Sequence, residues 1–306
     1  MTDQQGGAVQ GGCDNHEATP GTSGFEPLVM LPGLMGTAEV FLPQLRALSG
    51  VLPTMVAPLV GGARIETIAD HLLTQLPPRF ALAGLSMGGI VAMEILRRAP
   101  DRVTRLCLIS TSPLPDTPAQ AAEWEPLIIA ARSGRMEDVL RHCLPVECLA
   151  PSQQRLDVLN AVYQQGCALG PDLFVAQARA LQRRTDQQAA LRRCKAPTLI
   201  LCGAQDRLTP LKRHEFMAAL MPNARLHVIE EAGHLPTLEQ PDLATSAIAE
   251  WLAEVDPRQS DVESSVSTAP VQGQTHTRTI SEVGGTPPAT SNGLPPLTLT
   301  NPLKSN

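Results

Sequence analysis

The sequence predicts an α/β protein in which a mostly parallel sheet of about six strands is flanked by helices and carries an inserted helical segment. Three observations lead to this prediction. Short apolar runs bounded by Gly or Pro recur along the chain, amphipathic stretches separate most of them, and the alternation stops over one long stretch. Alternating strands and helices form right-handed βαβ units, and such units build parallel sheets.

Six short, nearly continuous apolar runs are typical of strands that are covered on both faces. These runs are Leu28–Leu31, Met55–Ala57, Phe80–Ala83, Leu106–Ile109, Thr198–Cys202 and Leu226–Ile229. Five amphipathic stretches between or after them predict helices. These stretches are Glu39–Leu48, Ile65–Leu76, Met87–Arg98, Leu211–Leu220 and Leu243–Glu254.

The alternation fails from about residue 114 to residue 190, where only helical patterns occur. They are Ala119–Ala131, Arg135–Cys143, Ser152–Gly166 and Pro171–Arg184. A segment of this size is too long for a loop and must pack over something. Because ligands of α/β sheets bind at the carboxyl ends of the strands, we expect the segment to cover that edge as a lid.

The two ends of the chain differ in composition from the part between them. Residues 1–24 are rich in Gly, Gln and Thr, and the 50 residues of 257–306 include 7 Pro and 15 Ser or Thr. Such segments bury too little apolar surface to offset the entropy lost on ordering. We therefore expect a disordered leader at 1–24, a folded domain at 25–256 and a disordered tail at 257–306.

The overall composition is that of a globular protein with a mild negative charge. The 306 residues include 24 Lys or Arg and 30 Asp or Glu, for a formal net charge of −6. Nucleic-acid binding requires clustered cations at the phosphates and aromatic platforms for the bases, yet the chain has only 5 Phe, 2 Trp and 1 Tyr. No window approaches the roughly 20 apolar residues that a bilayer demands. We expect neither a nucleic-acid partner nor a membrane partner.

The seven cysteines form no Cys-x-x-Cys pair, and several lie inside apolar runs, among them Cys107 and Cys202. That placement is typical of small buried hydrophobic residues and not of metal ligands or disulfides. The first residues contain neither the basic patch nor the apolar stretch of a signal peptide. From the cysteine pattern we expect no bound metal. Because unpaired cysteines suit a reducing compartment, we expect a cytoplasmic protein.

A Gly-x-Ser-x-Gly motif spans residues 84–88, between an apolar run and a helical run. This strand–turn–helix context is the one that a nucleophile elbow requires, with the Ser86 hydroxyl at the edge of the sheet. The strand and the helix pass so closely there that Gly84 and Gly88 must lack a Cβ. The alternative, a phosphate-binding turn, has neither the Gly-x-Gly-x-x-Gly pattern nor a following Lys.

A serine hydroxyl needs a base that takes its proton, and His234 is the candidate. It lies in a loop directly after a late strand, where Gly233 lets the backbone turn, and such a loop ends beside Ser86. An exposed loop histidine is the alternative. The other histidines lie in the tails, in amphipathic helices with a charged face, in the strand-like run and in the insertion: His16, His71, His142, His214, His227 and His276.

The base in turn needs an acid that fixes its tautomer, and two aspartates compete for this role. Asp206 follows the run 198–202, whereas Asp116 follows the run 106–109 among prolines. Asp206 could also cap the helix that begins near Pro210, but Pro210 lies four positions further along the chain, which is far for a cap. Because the chain order Ser, Asp, His is the one that this elbow uses, we favour Asp206.

An oxyanion hole needs two backbone N–H groups that point at the developing negative charge. One comes from Met87, the residue after the nucleophile. The other should come from the loop after the first strand, which reads Leu-Pro-Gly-Leu-Met-Gly at 31–36. Gly33 permits a bend that would present the N–H of Leu34. An ordinary glycine-rich turn is the alternative.

Five segments between about residues 27 and 251 together resemble the α/β-hydrolase superfamily, in its lidded esterase-like branch. They read Leu-Pro-Gly-Leu-Met-Gly, Gly-Leu-Ser-Met-Gly-Gly, Arg-Ala-Pro-Asp-Arg-Val, Leu-Cys-Gly-Ala-Gln-Asp and Ala-Gly-His-Leu-Pro-Thr-Leu-Glu-Gln-Pro. The resemblance implies a hydrolase that uses no cofactor. The roles that it implies are Ser86 as nucleophile, His234 as base, Asp206 as acid, and Leu34 with Met87 as oxyanion donors.

The chain departs from the family pattern at three places. Pro32 stands where a His is usual, and the loop 57–62 lacks the Asp…Gly-x-Gly-x-Ser pattern that is common in relatives. The leader is too polar to supply the antiparallel hairpin that often opens the sheet. We therefore expect about six strands rather than eight, most or all of them parallel.

The leading hypothesis is a serine hydrolase that cleaves a small, mostly apolar carboxylic ester through an acyl-enzyme on Ser86. An acyltransferase, a thioesterase, a lactonase and a C–C hydrolase are alternatives that use the same residues. A non-catalytic ligand-binding protein on the same fold is the third. The expected partner is a small ester-like molecule, and the oligomeric state stays open.

Side chains of the insertion carry two further expectations. Its apolar residues either line a pocket or pack on the core, and packing is expected for most of them: Leu127, Ile128, Ile129, Leu140, Leu173, Phe174 and Val175. Its arginines either steer an anionic substrate or lie on a solvated face, and the solvated face is expected: Arg132, Arg135, Arg141, Arg179, Arg183 and Arg184.

Overall fold

The computed structural model describes residues 26–254, so the expectations for 1–24 and 257–306 lie outside the described residues. One six-stranded sheet forms the centre of the fold, in the strand order β2-β1-β3-β4-β5-β6. Every pairing is parallel, which confirms the predicted sheet. The strands are β1 (Leu28–Leu31), β2 (Thr54–Val56), β3 (Phe80–Leu85), β4 (Val103–Ile109), β5 (Thr198–Gly203) and β6 (Ala224–Ile229).

Helices cover the sheet on both faces and fill the segment between β4 and β5. They are α1 (Leu42–Leu48), α2 (Ile65–Leu73), α3 (Met87–Arg98), α4 (Pro118–Arg132), α5 (Met136–Cys143), α6 (Arg155–Leu169), α7 (Pro171–Gln182), α8 (Gln188–Arg193), α9 (Leu211–Leu220), α10 (Pro236–Glu239) and α11 (Pro241–Ala253). Two of them, the short α8 and α10, were not predicted. The predicted helix Glu39–Leu48 is a 3₁₀ turn at Ala38–Phe41 followed by α1, whose first turn contains Pro43.

The alternation of side chains along each strand divides the core between the two faces of the sheet. In β1, Leu28 and Met30 belong to one hydrophobic cluster, whereas Val29 and Leu31 belong to the other. Both clusters are covered by helices, which explains why the central strands read as continuous apolar runs. Cys107 and Cys202 are fully buried strand residues, as expected.

The segment between β4 and β5 is helical and carries α4 to α8. Thr117 begins α4 with a capping box, in which its side chain accepts from the Gln120 amide and the Gln120 side chain accepts from the Thr117 amide. Ile128 and Phe174 are buried in the same cluster as one face of the sheet, so the insertion packs directly on the domain. Among residues 26–254, no helix combines the length and apolarity needed to cross a membrane.

Candidate active site

Ser86 lies at the sharp turn between β3 and α3. Its backbone has φ 53° and ψ −115°, a conformation that costs a non-glycine residue free energy and is held by the surrounding structure. Two glycines allow the turn. A Cβ on Gly84 would lie 2.4 Å from the carbonyl oxygen of Gly88, and a Cβ on Gly88 would lie 2.1 Å from that of Leu31. The close approach expected at these positions is therefore present.

Three side chains that are distant in sequence meet at this turn. His234 Nε2 lies 3.0 Å from Ser86 Oγ, and His234 Nδ1 lies 2.9 Å from Asp206 Oδ2. Asp206 follows β5 and His234 follows β6, so the parallel sheet brings both loops to the edge that holds Ser86. Because the carboxylate accepts a hydrogen bond from Nδ1–H, the proton stays on Nδ1 and the lone pair of Nε2 faces the serine hydroxyl.

The Asp206 carboxylate is held on several sides. Its Oδ1 accepts from the amides of Leu208 and Thr209 at 2.8 and 2.9 Å, and its Oδ2 accepts from the Thr209 hydroxyl at 2.5 Å. Burial alone raises the pKa of Asp206, but the interaction with His234 and the hydrogen bonds outweigh it and hold the pKa below its ordinary value. Asp206 is therefore ionised, and it does not cap α9, which has no side-chain cap.

The competing aspartate, Asp116, has other partners. Its carboxylate accepts from Trp124 Nε1 at 2.9 Å and from Arg184 Nη2 at 2.8 Å. The Arg184 side chain is only 14% exposed. The expectation of a solvated face is wrong for this arginine, because the two ends of the insertion come together and enclose its guanidinium against Asp116.

The two expected oxyanion donors lie beside Ser86. Leu34 and Met87 line the same cavity as the serine, and neither amide donates to an acceptor within the described part of the chain. The loop after β1 runs close to Ser86, since a Cβ on Gly33 would lie 3.4 Å from Ser86 Cβ. Both N–H groups are thus free to donate to a substrate oxygen.

Gln177 is a buried contributor to this site that sequence reasoning missed. Its Oε1 accepts from the Met35 amide at 2.8 Å, and its Nε2 donates to the Leu59 carbonyl at 2.9 Å. One side chain of α7 therefore ties down the loops after β1 and β2, and the first of these carries Leu34. No local pattern signals this role, because a glutamine in an amphipathic helix is usually solvated.

Glu239 was also missed, although it lies in the segment that carries His234. Its carboxylate accepts from the amides of Gly233, Leu235 and Ala150 at 2.9, 2.8 and 2.7 Å. Burial raises the pKa of Glu239 above its ordinary value, even though these three N–H groups favour the carboxylate. The sequence signal that could have identified Glu239 is its closeness to His234, which lies only five residues earlier in the chain.

His214 is connected to Ser86 through Thr111. Its Nε2 accepts from the Thr111 amide at 3.2 Å, and the Thr111 hydroxyl donates to the Ser86 carbonyl at 2.7 Å. Burial lowers the pKa of His214 to about 4, so the imidazole is neutral at pH 7. The histidine had been expected on a helix with a charged face, but α9 turns this side chain completely inwards.

A cavity of about 360 Å³ opens over Ser86 and His234. Apolar side chains of the insertion form one wall, and they include Trp124, Leu127, Leu140, Leu144, Val162 and Tyr163. Of the apolar insertion residues singled out in the sequence, Leu127 and Leu140 line the cavity, whereas Ile128 and Phe174 are core residues and Ile129 is 64% exposed. Residues 26–254 contain no cluster of three or more His, Cys, Asp or Glu side chains that could hold a metal ion.

Known proteins are similar to this chain in both sequence and fold. The model of the alpha/beta hydrolase family matches residues 20–247. A pimeloyl-acyl-carrier-protein methyl ester esterase from Aromatoleum aromaticum is 33% identical over 229 residues, which are 69% of this chain and 89% of that protein. An enzyme of the same name from Chromobacterium violaceum is 28% identical over 192 residues, 61% of this chain and 75% of that one.

Solved structures give the same result. A thermophilic esterase from Thermogutta terrifontis, in a malate-bound structure, has a TM-score of 0.69 at 28% identity and covers 78% of this chain and 96% of its own. The enol-lactonase from Burkholderia xenovorans has a TM-score of 0.66 at 21% identity, over 79% and 94% of the two chains, and so shows a common fold. The chain therefore belongs to the α/β-hydrolase family and is a hydrolase.

Proposed function

We propose that this hydrolase is a serine esterase, which cleaves a small alkyl ester of a mostly apolar acyl group through an acyl-enzyme on Ser86. The observation that carries the proposal is the continuous contact from Asp206 through His234 to the Ser86 hydroxyl at the floor of a cavity. Such a chain of contacts activates a serine that is otherwise a poor nucleophile at neutral pH.

In the first half of the reaction, Ser86 Oγ forms a bond to the ester carbonyl carbon while His234 Nε2 takes the hydroxyl proton. The carbonyl oxygen becomes an oxyanion, which accepts hydrogen bonds from the amides of Leu34 and Met87. The bond between carbon and the alcohol oxygen then breaks, and His234 returns its proton to the leaving alcohol. An acyl group remains on Ser86.

In the second half, water takes the place of the alcohol. His234 Nε2 accepts a proton from water as the water oxygen bonds to the acyl carbon, and the same two amides stabilise the second oxyanion. The bond to Ser86 Oγ breaks, the serine regains its proton, and the carboxylic acid leaves. Asp206 stays ionised throughout and stabilises the imidazolium, in keeping with its lowered pKa.

Two features support the choice of ester. Most of the side chains that α4, α5 and α6 contribute to the cavity are apolar and suit an uncharged hydrocarbon chain. The curated relatives are named as methyl ester esterases, so methyl esters are the first substrates to test. Because the names of these relatives specify an ester linked to acyl carrier protein, the test includes carrier-linked methyl esters.

A fluorophosphonate probe and a substrate panel test the proposal. The probe should label the wild-type enzyme but not Ser86→Ala. Ser133→Ala is the control and should be labelled like the wild type, because Ser133 lies at the end of α4 and hydrogen-bonds the Ala130 carbonyl there. The panel compares methyl esters, free and carrier-linked, with thioesters and lactones. Labelling that persists in Ser86→Ala, or a higher kcat/KM for thioesters or lactones than for every ester, would overturn the proposal.

A further inference from the structure

One wall of the cavity is polar, and the ester chemistry described above leaves it without a role. Arg184 and Arg213 both line the cavity there, together with Ser112 and Asp116. Arg213 Nη1 donates to Ser112 Oγ at 3.1 Å. No carboxylate within residues 26–254 forms an ion pair with Arg213.

This wall has more positive than negative charge. Asp116 balances only one guanidinium, and both of its oxygens are already engaged, by Arg184 and by Trp124. Glu123, the other carboxylate that lines the cavity, is exposed and pairs with neither arginine in the described part of the chain. One positive charge therefore remains uncompensated.

The two guanidinium groups are close enough to influence each other. Burial lowers the pKa of Arg184, Asp116 opposes this, and the charge of Arg213 lowers the pKa further. In addition, Nε of Arg184 is buried without a hydrogen-bond partner. Two neighbouring cations at the wall of a cavity repel each other, and an anion bound between them relieves the repulsion.

The polar wall lies near the reacting serine. Ser112, which holds Arg213, directly follows Thr111, whose hydroxyl donates to the Ser86 carbonyl. The same cavity also has the apolar wall of the insertion. A substrate over Ser86 can thus contact a cationic group and an apolar surface at the same time.

We propose that Arg213, assisted by Arg184, binds a carboxylate of the substrate, so that the ester hydrolysed at Ser86 is the monoester of a dicarboxylic acid. This inference rests on the proposed esterase function and specifies its substrate class. A carboxylate matches the planar fork of a guanidinium. It also carries a single negative charge, which balances the single uncompensated positive charge of the wall, whereas a phosphate monoester carries nearly two.

The first test compares substrates that differ only in the distal group. Monomethyl esters of dicarboxylic acids are measured against methyl esters of monocarboxylic acids of equal chain length, and against esters that end in a phosphate. Because hydrogen bonds to a charged group are strong, the wild type should favour the carboxylate series by about tenfold or more in kcat/KM. Equal rates for the carboxylate and neutral series, or a preference for the phosphate series, would overturn the inference.

The second test changes the arginine. Arg213→Gln should lower kcat/KM for the monomethyl esters by about tenfold, mainly through KM, and leave the neutral esters within about twofold. Arg213→Lys keeps the charge and should recover part of the loss. Lys212→Gln is the matched control, because it removes the same charge from the exposed neighbouring position of α9. Equal losses for both substrate series in Arg213→Gln would contradict a carboxylate site.

A binding measurement separates this inference from the esterase proposal. Ser86→Ala is titrated calorimetrically with a monomethyl ester, and the double variant Ser86→Ala/Arg213→Gln is titrated in parallel. Binding that weakens about tenfold or more in the double variant supports the carboxylate site even if no ester is turned over. Equal affinity of the two proteins would overturn the carboxylate site and leave the esterase function untouched.

Discussion

Glu239 accepts hydrogen bonds from the amides on both sides of His234, those of Gly233 and Leu235. The amide of His234 itself donates to the carbonyl of Cys148 at 2.7 Å. All three N–H groups of the loop tip are therefore fixed, and the imidazole is held at a set distance from Ser86. Because Glu239 also accepts from Ala150, the same carboxylate joins the loop to the helical insertion.

Glu239→Gln is expected to impair catalysis without removing any reacting group. The amide nitrogen that replaces one oxygen would face a backbone N–H, so at least one hydrogen bond is lost and the His234 loop loosens. We expect kcat to fall about tenfold or more with KM nearly unchanged, and stability to fall by about 1–3 kcal/mol. Steady-state kinetics and urea unfolding measure the two effects.

The control for that variant is Glu231→Gln, the same change at an exposed position of the same loop. It should leave both kcat and the urea midpoint close to those of the wild type. If Glu239→Gln keeps full kcat while losing stability, Glu239 is a structural residue and does not position the base.

His234→Ala removes the proposed base, so Ser86 keeps its proton during attack. We expect kcat on a p-nitrophenyl ester to fall by about 10³-fold or more. His142→Ala, which changes an exposed histidine that lines the same cavity, should stay within about twofold of the wild type. A near-wild-type rate for His234→Ala would remove this residue from the mechanism.

Gln177→Leu tests the connection between α7 and the loop after β1, which carries the proposed oxyanion donor Leu34. The variant leaves the Met35 amide and the Leu59 carbonyl without their buried partner, which should cost about 2 kcal/mol or more of stability. Because Leu34 precedes Met35, the loss should also lower kcat. Gln164→Leu, at an exposed position of α6, is the control, and an unchanged kcat in Gln177→Leu would show that the loop holds its shape unaided.

The buried His214 predicts how stability depends on pH. Its pKa falls from 6.5 to about 4 on folding, so between these values the unfolded chain binds a proton there that the native protein does not. Stability contributed by the neutral imidazole is therefore complete above about pH 6.5 and is lost as the pH falls towards 4. The loss amounts to about 3 kcal/mol at most.

Urea midpoints measured across that pH range test this linkage. His214→Gln should be less stable at pH 7 and should show a flatter dependence on pH, whereas the exposed His71→Gln should follow the wild-type curve. A His214→Gln profile parallel to that of the wild type would assign the pH dependence to other groups.

The sheet and most helices were predictable because their signals are local. The apolar run 80–83 indicated β3, although the strand continues through Gly84 and Leu85 into the turn. The positions of Ser86, Asp206 and His234 were equally accessible, since each follows a recognisable strand and parallel strands end at one edge. The helices α8 and α10 were missed because six and four residues are too few to display a helical period.

By itself, the sequence determined the order of the six strands and of most helices, the turn at Ser86 and the edge of the sheet at which chemistry could occur. Only the tertiary structure decided which polar side chains support that edge. Gln177 reaches Met35 across 142 residues, and His214 reaches Thr111 across 103. Polar side chains such as these look solvated in an amphipathic pattern. Periodicity shows which face of a helix is buried, but it does not show which distant backbone group on that side needs a hydrogen-bond partner.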